Sequence, residues 1–175
     1  MSNVLLLNEN IEIIGISEKL DAHKNGFLHL AFSILILNSS LEMLIQKRAK
    51  SKYHSGGLWS NACCSHPTRA TGLEFEIRNR LKFEMGIDIQ LNWIFSLRYY
   101  AELDNELIEN EFDHIYLGHY DGIPTPNIDE VEDWRWIPLT QIENEINNNP
   151  EYFTPWFAKI FLKFNKDYFP NYINI

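Results

Sequence analysis

The spacing of apolar positions predicts a strand-rich first third of the chain. Extended runs of apolar and β-branched residues cover Ile11–Ile16, Leu28–Leu37 and Leu41–Lys47. The polar tripeptide Asn38-Ser39-Ser40 predicts a hairpin turn between the last two runs. A glycine-containing loop over Lys50–Leu58 then leads to a further short strand over Trp59–Cys64.

A helix is predicted next, because Thr71-x-x-Glu74 has the pattern of a capping box and Gly86 is placed to end the helix. Its apolar side carries Leu73, Ile77 and Leu81. Further strands are predicted over Trp93–Glu102, Glu111–Tyr120 and Trp134–Ile137, and further helices from Thr140-x-x-Glu143 and Thr154-Pro155. This order predicts an α/β (α+β) sandwich with helices on the faces of the sheet, in one domain over residues 1–175.

Charge and cysteine content narrow the classes of partner. The 175 residues carry a formal net charge of −9, which disfavours nucleic acid and anionic membranes as partners but allows a small phosphorylated ligand. The longest apolar run, Leu28–Leu37, is shorter than the roughly 20 residues that a membrane span needs. The adjacent Cys63 and Cys64 would form a strained disulfide, and the first residues lack a signal-peptide pattern, so we expect a cytoplasmic protein.

Two short motifs bring reactive side chains to one side of a strand. Residues two apart on a strand share a face, so Cys64 and His66 would point into the same space. Glu109 and Glu111 repeat this spacing with two carboxylates. Burying both requires a cation or a proton, and the alternative is that both lie at a solvated strand edge. The spacing leaves both interpretations open.

Histidines could supply further ligands to a cation buried with these glutamates. His23 and His29 flank a short loop before an apolar strand, and with His66 and the two glutamates they could form an octahedral N/O site suited to Mn, Mg or Zn. The alternative is that each imidazole has a structural role. That structural role is our expectation for the remaining histidines, His54, His114 and His119.

Basic residues are few, so their positions are informative. Lys19, Arg48, Lys52 and Arg80 lie at predicted element ends or on the polar side of the capped helix. Such a set could hold a phosphate or diphosphate, and the alternative is a scattered solvated surface. Trp156 and Tyr99 could be core residues, or their aromatic faces could stabilise a cation.

These motifs together resemble the type 1 isopentenyl-diphosphate delta-isomerases, a branch of the Nudix superfamily, from about Lys19 to Trp156. The resemblance rests on Lys19-x-x-x-His23, Leu28-His29-Leu-Ala-Phe32, Lys47-Arg48-Ala-x-Ser-Lys52, Leu58-Trp-Ser-Asn-Ala-Cys-Cys64-Ser-His66-Pro67, Phe83-Glu84-Met-Gly86, Leu97-Arg-Tyr99, Ile108-Glu109-Asn-Glu111, Asp129-Glu-Val131 and Thr154-Pro-Trp156. It implies a Nudix-type α/β/α sandwich with a mixed sheet, and isomerisation of isopentenyl diphosphate to dimethylallyl diphosphate for isoprenoid synthesis.

The resemblance also implies a role for each matching residue. One divalent ion (Mn, Mg or Zn) would be bound by His23, His29, His66, Glu109 and Glu111. The acid/base pair would be Cys64 and Glu111, with Tyr99 assisting. The diphosphate would be contacted by Lys19, Arg48, Lys52 and Arg80 and by a Mg²⁺ ion held by Glu84, and Trp156 would cover the reacting carbons. We expect a monomer or a weak homodimer that binds isopentenyl diphosphate, with no nucleic-acid or membrane partner.

Two departures from the family pattern define the alternatives. The loop His54-Ser55-Gly56-Gly57 lacks the Trp-Pro-Gly common in the family. The Nudix hydrolase box is degraded, because Ser65, Thr71, Asn79, Arg80 and Phe83 replace its Gly, first Glu, Arg and next two Glu. Losing those metal-binding carboxylates disfavours a divergent Nudix diphosphate hydrolase. The third alternative is a non-catalytic protein that binds metal or a prenyl diphosphate, which the intact Cys64 and Glu111 disfavour.

Overall fold

The computed structural model describes residues 3–172, and within them the strands form one mixed sheet. The strands are β1 Asn3–Leu7, β2 Ile13–Glu18, β3 His29–Leu37, β4 Glu42–Arg48, β5 Trp59–Asn61, β6 Cys63–Ser65, β7 Asn92–Glu102, β8 Ile108–His119 and β9 Val131–Pro138. The helices are α1 Lys19–Asn25, α2 Leu73–Met85, α3 Leu139–Asn148, α4 Pro155–Lys163 and α5 Phe169–Tyr172, with a π-helical turn over Phe164–Tyr168 and 3₁₀ turns over Asp104–Glu106 and Pro150–Tyr152.

The central strand β3 organises the sheet. It pairs in parallel with β8, from His29 opposite Glu111 to Leu37 opposite His119, and antiparallel with β1, β4 and β6. Strand β7 pairs with β8, while β5 and β9 pair with β4. Every residue of β3 is buried, because helices cover both faces, and this explains its continuous apolar sequence.

Two apolar layers cover the sheet. On one face, Ile77 and Leu81 of α2 pack with Ile34 of β3. On the other face, α3 and α4 pack over the sheet, with Phe157 and Phe161 of α4 fully buried. The predicted α/β/α sandwich with a mixed sheet is confirmed. No helix within residues 3–172 has the length and apolar character of a membrane span.

The predicted helix caps were wrong in detail. Helix α2 begins at Leu73 after Gly72 (φ 75°), and within the described residues no side chain caps it. Instead of a Thr71 capping box, the backbone N–H and hydroxyl of Thr68 donate to the Glu76 carboxylate, at 2.9 and 2.6 Å. Helix α3 begins at Leu139 after Pro138, so Thr140 lies inside the helix.

Two elements near the N-terminus were missed. Strand β1 and helix α1 precede β3, and α1 ends at Gly26, whose φ of 63° and backbone N–H bond to the Ala22 carbonyl are typical of a helix C-cap. A helix of only seven residues gives too little periodicity to detect from sequence. It matters for the site, because α1 carries His23 and Lys19.

Candidate active site

Four separate elements bring the candidate ligands to one end of β3. His29 opens β3 opposite Glu111 of β8, His23 comes from α1, and His66 follows β6. Glu109 precedes Glu111 by two residues on β8, so both side chains lie on the same face of the sheet. Both glutamates are buried, with 3% and 4% of their surface exposed, so the solvated-edge alternative is wrong.

Backbone carbonyls fix the orientation of two imidazoles. His23 Nδ1 lies 2.7 Å from the Lys19 carbonyl oxygen, and His29 Nδ1 lies 2.7 Å from that of Phe27. A carbonyl only accepts, so Nδ1 carries the proton in each ring and Nε2 presents a lone pair. Both Nε2 atoms are buried and have no hydrogen-bond partner among residues 3–172. Such orphaned lone pairs are typical of a metal ligand set with oriented imidazoles.

The donor atoms are spaced for one cation. The ligand atoms of His23, His29, His66 and Glu111 all lie within 4.8 Å of one another. Glu111 Oε1 is 2.7 Å from His66 Nε2 and 3.4 Å from His29 Nε2. Burial lowers the pKa of His23 to about 4 and that of His66 to about 3, so both rings are neutral at pH 7, the form that binds metal. These residues fit a divalent cation.

Tyr99 links the two glutamates. Its hydroxyl donates to Glu111 Oε2, and its oxygen lies 3.1 Å from Glu109 Oε2. Burial and the neighbouring Glu111 carboxylate raise the pKa of Glu109 well above its ordinary value. Burial also acts to raise the pKa of Glu111, but the imidazoles of His66 and His29 outweigh it and hold that pKa well below the ordinary value. Two carboxylates this close disfavour each other's ionised form unless a cation neutralises them.

A small cavity beside these ligands contains the other reactive groups. Its volume is about 30 Å³, more than the space that one water molecule needs. The expected site residues that line it are Lys19, Arg48, Cys64, His66, Tyr99, Glu109, Glu111 and Trp156. Strands β6 and β8 flank β3, so Cys64 and Glu111 reach the cavity from the two sides of β3.

Cys64 and Arg48 are adjacent in the cavity. An Arg48 guanidinium nitrogen lies 3.9 Å from Cys64 Sγ, and the guanidinium carbon lies 5.2 Å from the centre of the Trp156 ring. Burial raises the pKa of Cys64 to about 12 even though the Arg48 charge acts to lower it, so the thiol keeps its proton. The cavity thus combines a protonated thiol with an ionised carboxylate.

Lys52, Arg80 and Glu84 lie outside this cavity, in a separate charged group. Arg80 donates to Glu84 Oε1 at 2.6 Å and to Glu130 Oε2 at 2.8 Å, and the Lys52 ammonium also contacts Glu130. Arg80 and Glu84 belong to α2 and act on the Cys63 thiol, and the Arg48 charge also acts on Glu130, so this group adjoins the cavity. Sequence reasoning missed Glu130; its only signal was the acidic Asp129-Glu-Val131 segment.

His54, for which a structural role is expected from the sequence, lies on the cavity wall. It is buried, and its Nε2 lies 3.9 Å from Glu109 Oε1. The available signal was its position in the loop that departs from the family pattern, since loops carry much of a protein's function. His114, bonded to Ser96 at 2.6 Å, and the exposed His119 are outside the cavity lining.

Comparisons with known proteins agree with this geometry. The NUDIX domain family matches residues 27–157. The chain is 48% identical to isopentenyl-diphosphate Delta-isomerase 1 of Aromatoleum aromaticum, over 87% of this chain and 86% of the relative. It is 44% identical to isopentenyl-diphosphate Delta-isomerase 2 of Photorhabdus laumondii, over 90% and 89%.

Solved structures agree on the fold. The crystal structure of DR0079 from Deinococcus radiodurans superposes with a TM-score of 0.77 over 93% of this chain and 98% of that one, at 15% identity. The MutT protein from Methanosarcina mazei superposes with a TM-score of 0.65 over 80% and 94%, at 17% identity. From the domain match and the relatives, the chain belongs to the NUDIX domain family and, within it, to the isopentenyl-diphosphate Delta-isomerases.

Proposed function

We propose that this protein interconverts isopentenyl diphosphate and dimethylallyl diphosphate in isoprenoid precursor synthesis. The observation that carries the proposal is the placement of the Cys64 thiol and the Glu111 carboxylate on the two sides of β3, around one small cavity. The raised pKa of Cys64 and the lowered pKa of Glu111 match a proton donor and a proton acceptor. The isomerase relatives, at 44–48% identity over most of their length, support the same reaction.

Isomerisation needs one proton donor and one proton acceptor on opposite sides of the alkene. A proton is added to the terminal CH₂ carbon, which becomes a methyl group and leaves a tertiary carbocation. Loss of a proton from the neighbouring CH₂ then forms the new double bond, so no atoms are gained or lost overall. Cys64 and Glu111 meet this requirement, with the proton on the sulfur and the carboxylate ionised.

Tyr99 and Trp156 support these steps in the proposed mechanism. The Tyr99 hydroxyl orients the Glu111 carboxylate by donating to it. The indole of Trp156 is buried at the cavity wall, where its face would stabilise the carbocation by roughly 2 kcal/mol or more when desolvated.

A divalent ion (Mn²⁺, Mg²⁺ or Zn²⁺) would be held by His23, His29, His66, Glu109 and Glu111. When bound, it would supply a fixed positive charge that orients these carboxylates and favours their ionised form. The orphaned Nε2 atoms of His23 and His29 support this assignment.

The diphosphate would be bound by the cations that line the cavity and by those of the charged group around Glu130. Lys19 and Arg48 line the cavity, and Lys52 and Arg80 would extend the positive surface beyond it, with Glu84 holding a Mg²⁺ ion against the diphosphate. These cations would give the acidic chain a local anion site despite its net charge of −9.

The hydrolase and non-catalytic alternatives lack comparable support. At the degraded box, Arg80 and the exposed Phe83 occupy positions where a hydrolase places carboxylates. Metal-activated water needs those ligands. The paired proton carriers also have no role in a protein that only binds.

The test compares the wild-type chain with Cys64→Ala and Glu111→Gln, using isopentenyl diphosphate and Mg²⁺. We expect wild type to form dimethylallyl diphosphate without free phosphate, and each variant to lose at least ~100-fold in kcat. Phosphate without isomer would favour the hydrolase, and neither product from wild type would favour the binding protein.

Cys63→Ala is the matched control. Cys63 is the adjacent thiol, but it is fully buried against α2 on the opposite side of the sheet. We expect Cys63→Ala to keep the wild-type kcat, at some loss of thermal stability. Near-normal turnover in Cys64→Ala would contradict the assignment of the thiol as a proton carrier.

A further inference from the structure

We propose that His54 is a further protein ligand of the divalent cation, completing a six-donor shell of four imidazole nitrogens and two carboxylate oxygens. The inference deepens the cation site of the proposed function and rests on it. It assigns to the loop over residues 50–58 a metal-binding role that the motifs of the sequence did not indicate.

The first support is the geometry of a second ligand cluster. The ligand atoms of His23, His54 and Glu109 lie within 4.8 Å of one another, and all three residues are buried. The His54 and His23 rings are stacked, with centroids 5.9 Å apart. His54 Nε2 is 3.9 Å from Glu109 Oε1, too far for a hydrogen bond but suitable for two donors around one ion.

The second support is that the loop holds the His54 ring in place. The His54 carbonyl accepts from Arg48 at 3.3 Å, and Nδ1 lies 3.2 Å from the Ser55 hydroxyl. With Nδ1 bonded to Ser55, Nε2 is the nitrogen left for the cavity, as in His23 and His29. Gly56 permits this loop path, because a Cβ there would lie 2.8 Å from the Lys50 carbonyl oxygen. The position of His54 is therefore set by the backbone.

The two groups meet at His23, and their donors are not all within 4.8 Å of one another, so one ion would draw His54 and Glu109 toward the other ligands. The two groups share His23, whose Nδ1 is already bonded to the Lys19 carbonyl. His23 thus has one free lone pair, on Nε2, and one lone pair is directed at one ion. The combined donors are His23, His29, His54, His66, Glu109 and Glu111. This nitrogen-rich shell favours Mn²⁺ or Zn²⁺ over Mg²⁺, which prefers oxygen ligands.

The test titrates the metal-free wild-type chain with MnCl₂ alone by calorimetry and measures bound metal after dialysis. We expect one Mn²⁺ per chain, and binding at least ~10-fold weaker in His54→Ala, with partial recovery in His54→Gln, whose amide oxygen can still act as a donor. The control is His114→Ala, which removes an imidazole outside the cavity and should bind Mn²⁺ like wild type.

A spectroscopic measurement makes the test independent of catalysis. Loaded with Co²⁺, the wild-type chain should show the weak visible absorption of a six-coordinate ion, and His54→Ala the stronger absorption of a lower coordination number. Matching thermal unfolding of the two chains in EDTA would show that the variant is folded.

Each remaining outcome is decisive. Equal Mn²⁺ affinity and equal Co²⁺ spectra in wild type and His54→Ala would overturn the inference, as would two ions per wild-type chain. If Mn²⁺ binding depends on His54 but wild type forms no dimethylallyl diphosphate, the proposed function fails and the His54 ligand stands.

Discussion

At the scale of single residues, Tyr99 couples the two glutamates of the site. One phenol oxygen lies within hydrogen-bond distance of both Glu109 and Glu111. Burial and these carboxylates raise the pKa of Tyr99 well above its ordinary value, so the phenol keeps its proton and remains a donor. In the proposed mechanism, Tyr99 would therefore act by positioning Glu111.

We predict that Tyr99→Phe lowers kcat by roughly 10- to 100-fold, with little change in KM, because the ring is kept and only the orienting hydroxyl is lost. Steady-state kinetics with isopentenyl diphosphate measure this split. Tyr100→Phe is the matched control, since Tyr100 is the next residue of β7 and is largely exposed. An equal loss in both variants would indicate general damage to β7.

The positions of some site residues could be predicted from the sequence, and those of others could not. The shared direction of Cys64 and His66 follows from their spacing, and both line the cavity. Burial of Glu109 and Glu111 could not be decided from spacing, since it depends on the neighbouring strands and on α1. The position of His54 in the cavity could not be predicted, because its proximity to Glu109 joins residues 55 positions apart through an irregular loop.

At the scale of elements, the charged group around Glu130 joins the start of β9 to α2 and to the loop after β4. Glu130 contacts Lys52 and Arg80, the two cations proposed to bind diphosphate outside the cavity. Its carboxylate partly neutralises them and would repel a diphosphate.

We predict that Glu130→Gln binds inorganic diphosphate more tightly than wild type, by a few-fold at low ionic strength, with a smaller difference at high salt. Calorimetric titration at two salt concentrations measures this effect. Glu132→Gln is the matched control, because Glu132 lies two residues further along and pairs instead with Lys47 and Lys50. Weaker binding in Glu130→Gln would show that the carboxylate positions the two cations rather than competing with the ligand.

Element types were easier to predict than element ends. The apolar runs placed β3 and β4 within about one residue of their observed bounds, because burial on a sheet imposes a clear pattern. The helix starts predicted from capping motifs at Thr71 and Thr140 were wrong. At α2, Glu76 accepts from Thr68 instead, and α3 begins directly after Pro138.

At the scale of the whole molecule, the parallel pairing of β3 with β8 creates the site and could not be predicted from local sequence. It brings His29 opposite Glu111, 82 positions later in the chain. Strand order depends on long-range packing, whereas the layered class follows from the alternation of strands and helices.

The buried imidazoles also determine how stability depends on pH. The pKa of His23 falls from 6.5 to about 4 on folding, and that of His66 to about 3. Between these values and pH 6.5 the unfolded chain binds more protons, so stability decreases as pH falls through 6.5.

We therefore predict that, in EDTA, the urea concentration at the unfolding midpoint of wild type decreases when the pH is lowered from 7 to 5. The decrease should be smaller in His23→Gln. His119→Gln is the control, since it removes an exposed imidazole outside the cavity. The raised pKa of Glu109 acts in the opposite direction, so the difference between variant and wild type isolates the imidazole. Parallel curves for His23→Gln and wild type would contradict this account.

The most direct test of the central claim is proton NMR of isopentenyl diphosphate incubated with the protein and Mg²⁺ in D₂O. We predict dimethylallyl diphosphate carrying deuterium in one methyl group, because the proton on Cys64 exchanges with solvent before transfer. We also predict that the diphosphate remains intact. Release of phosphate, or recovery of unchanged isopentenyl diphosphate, would contradict the account.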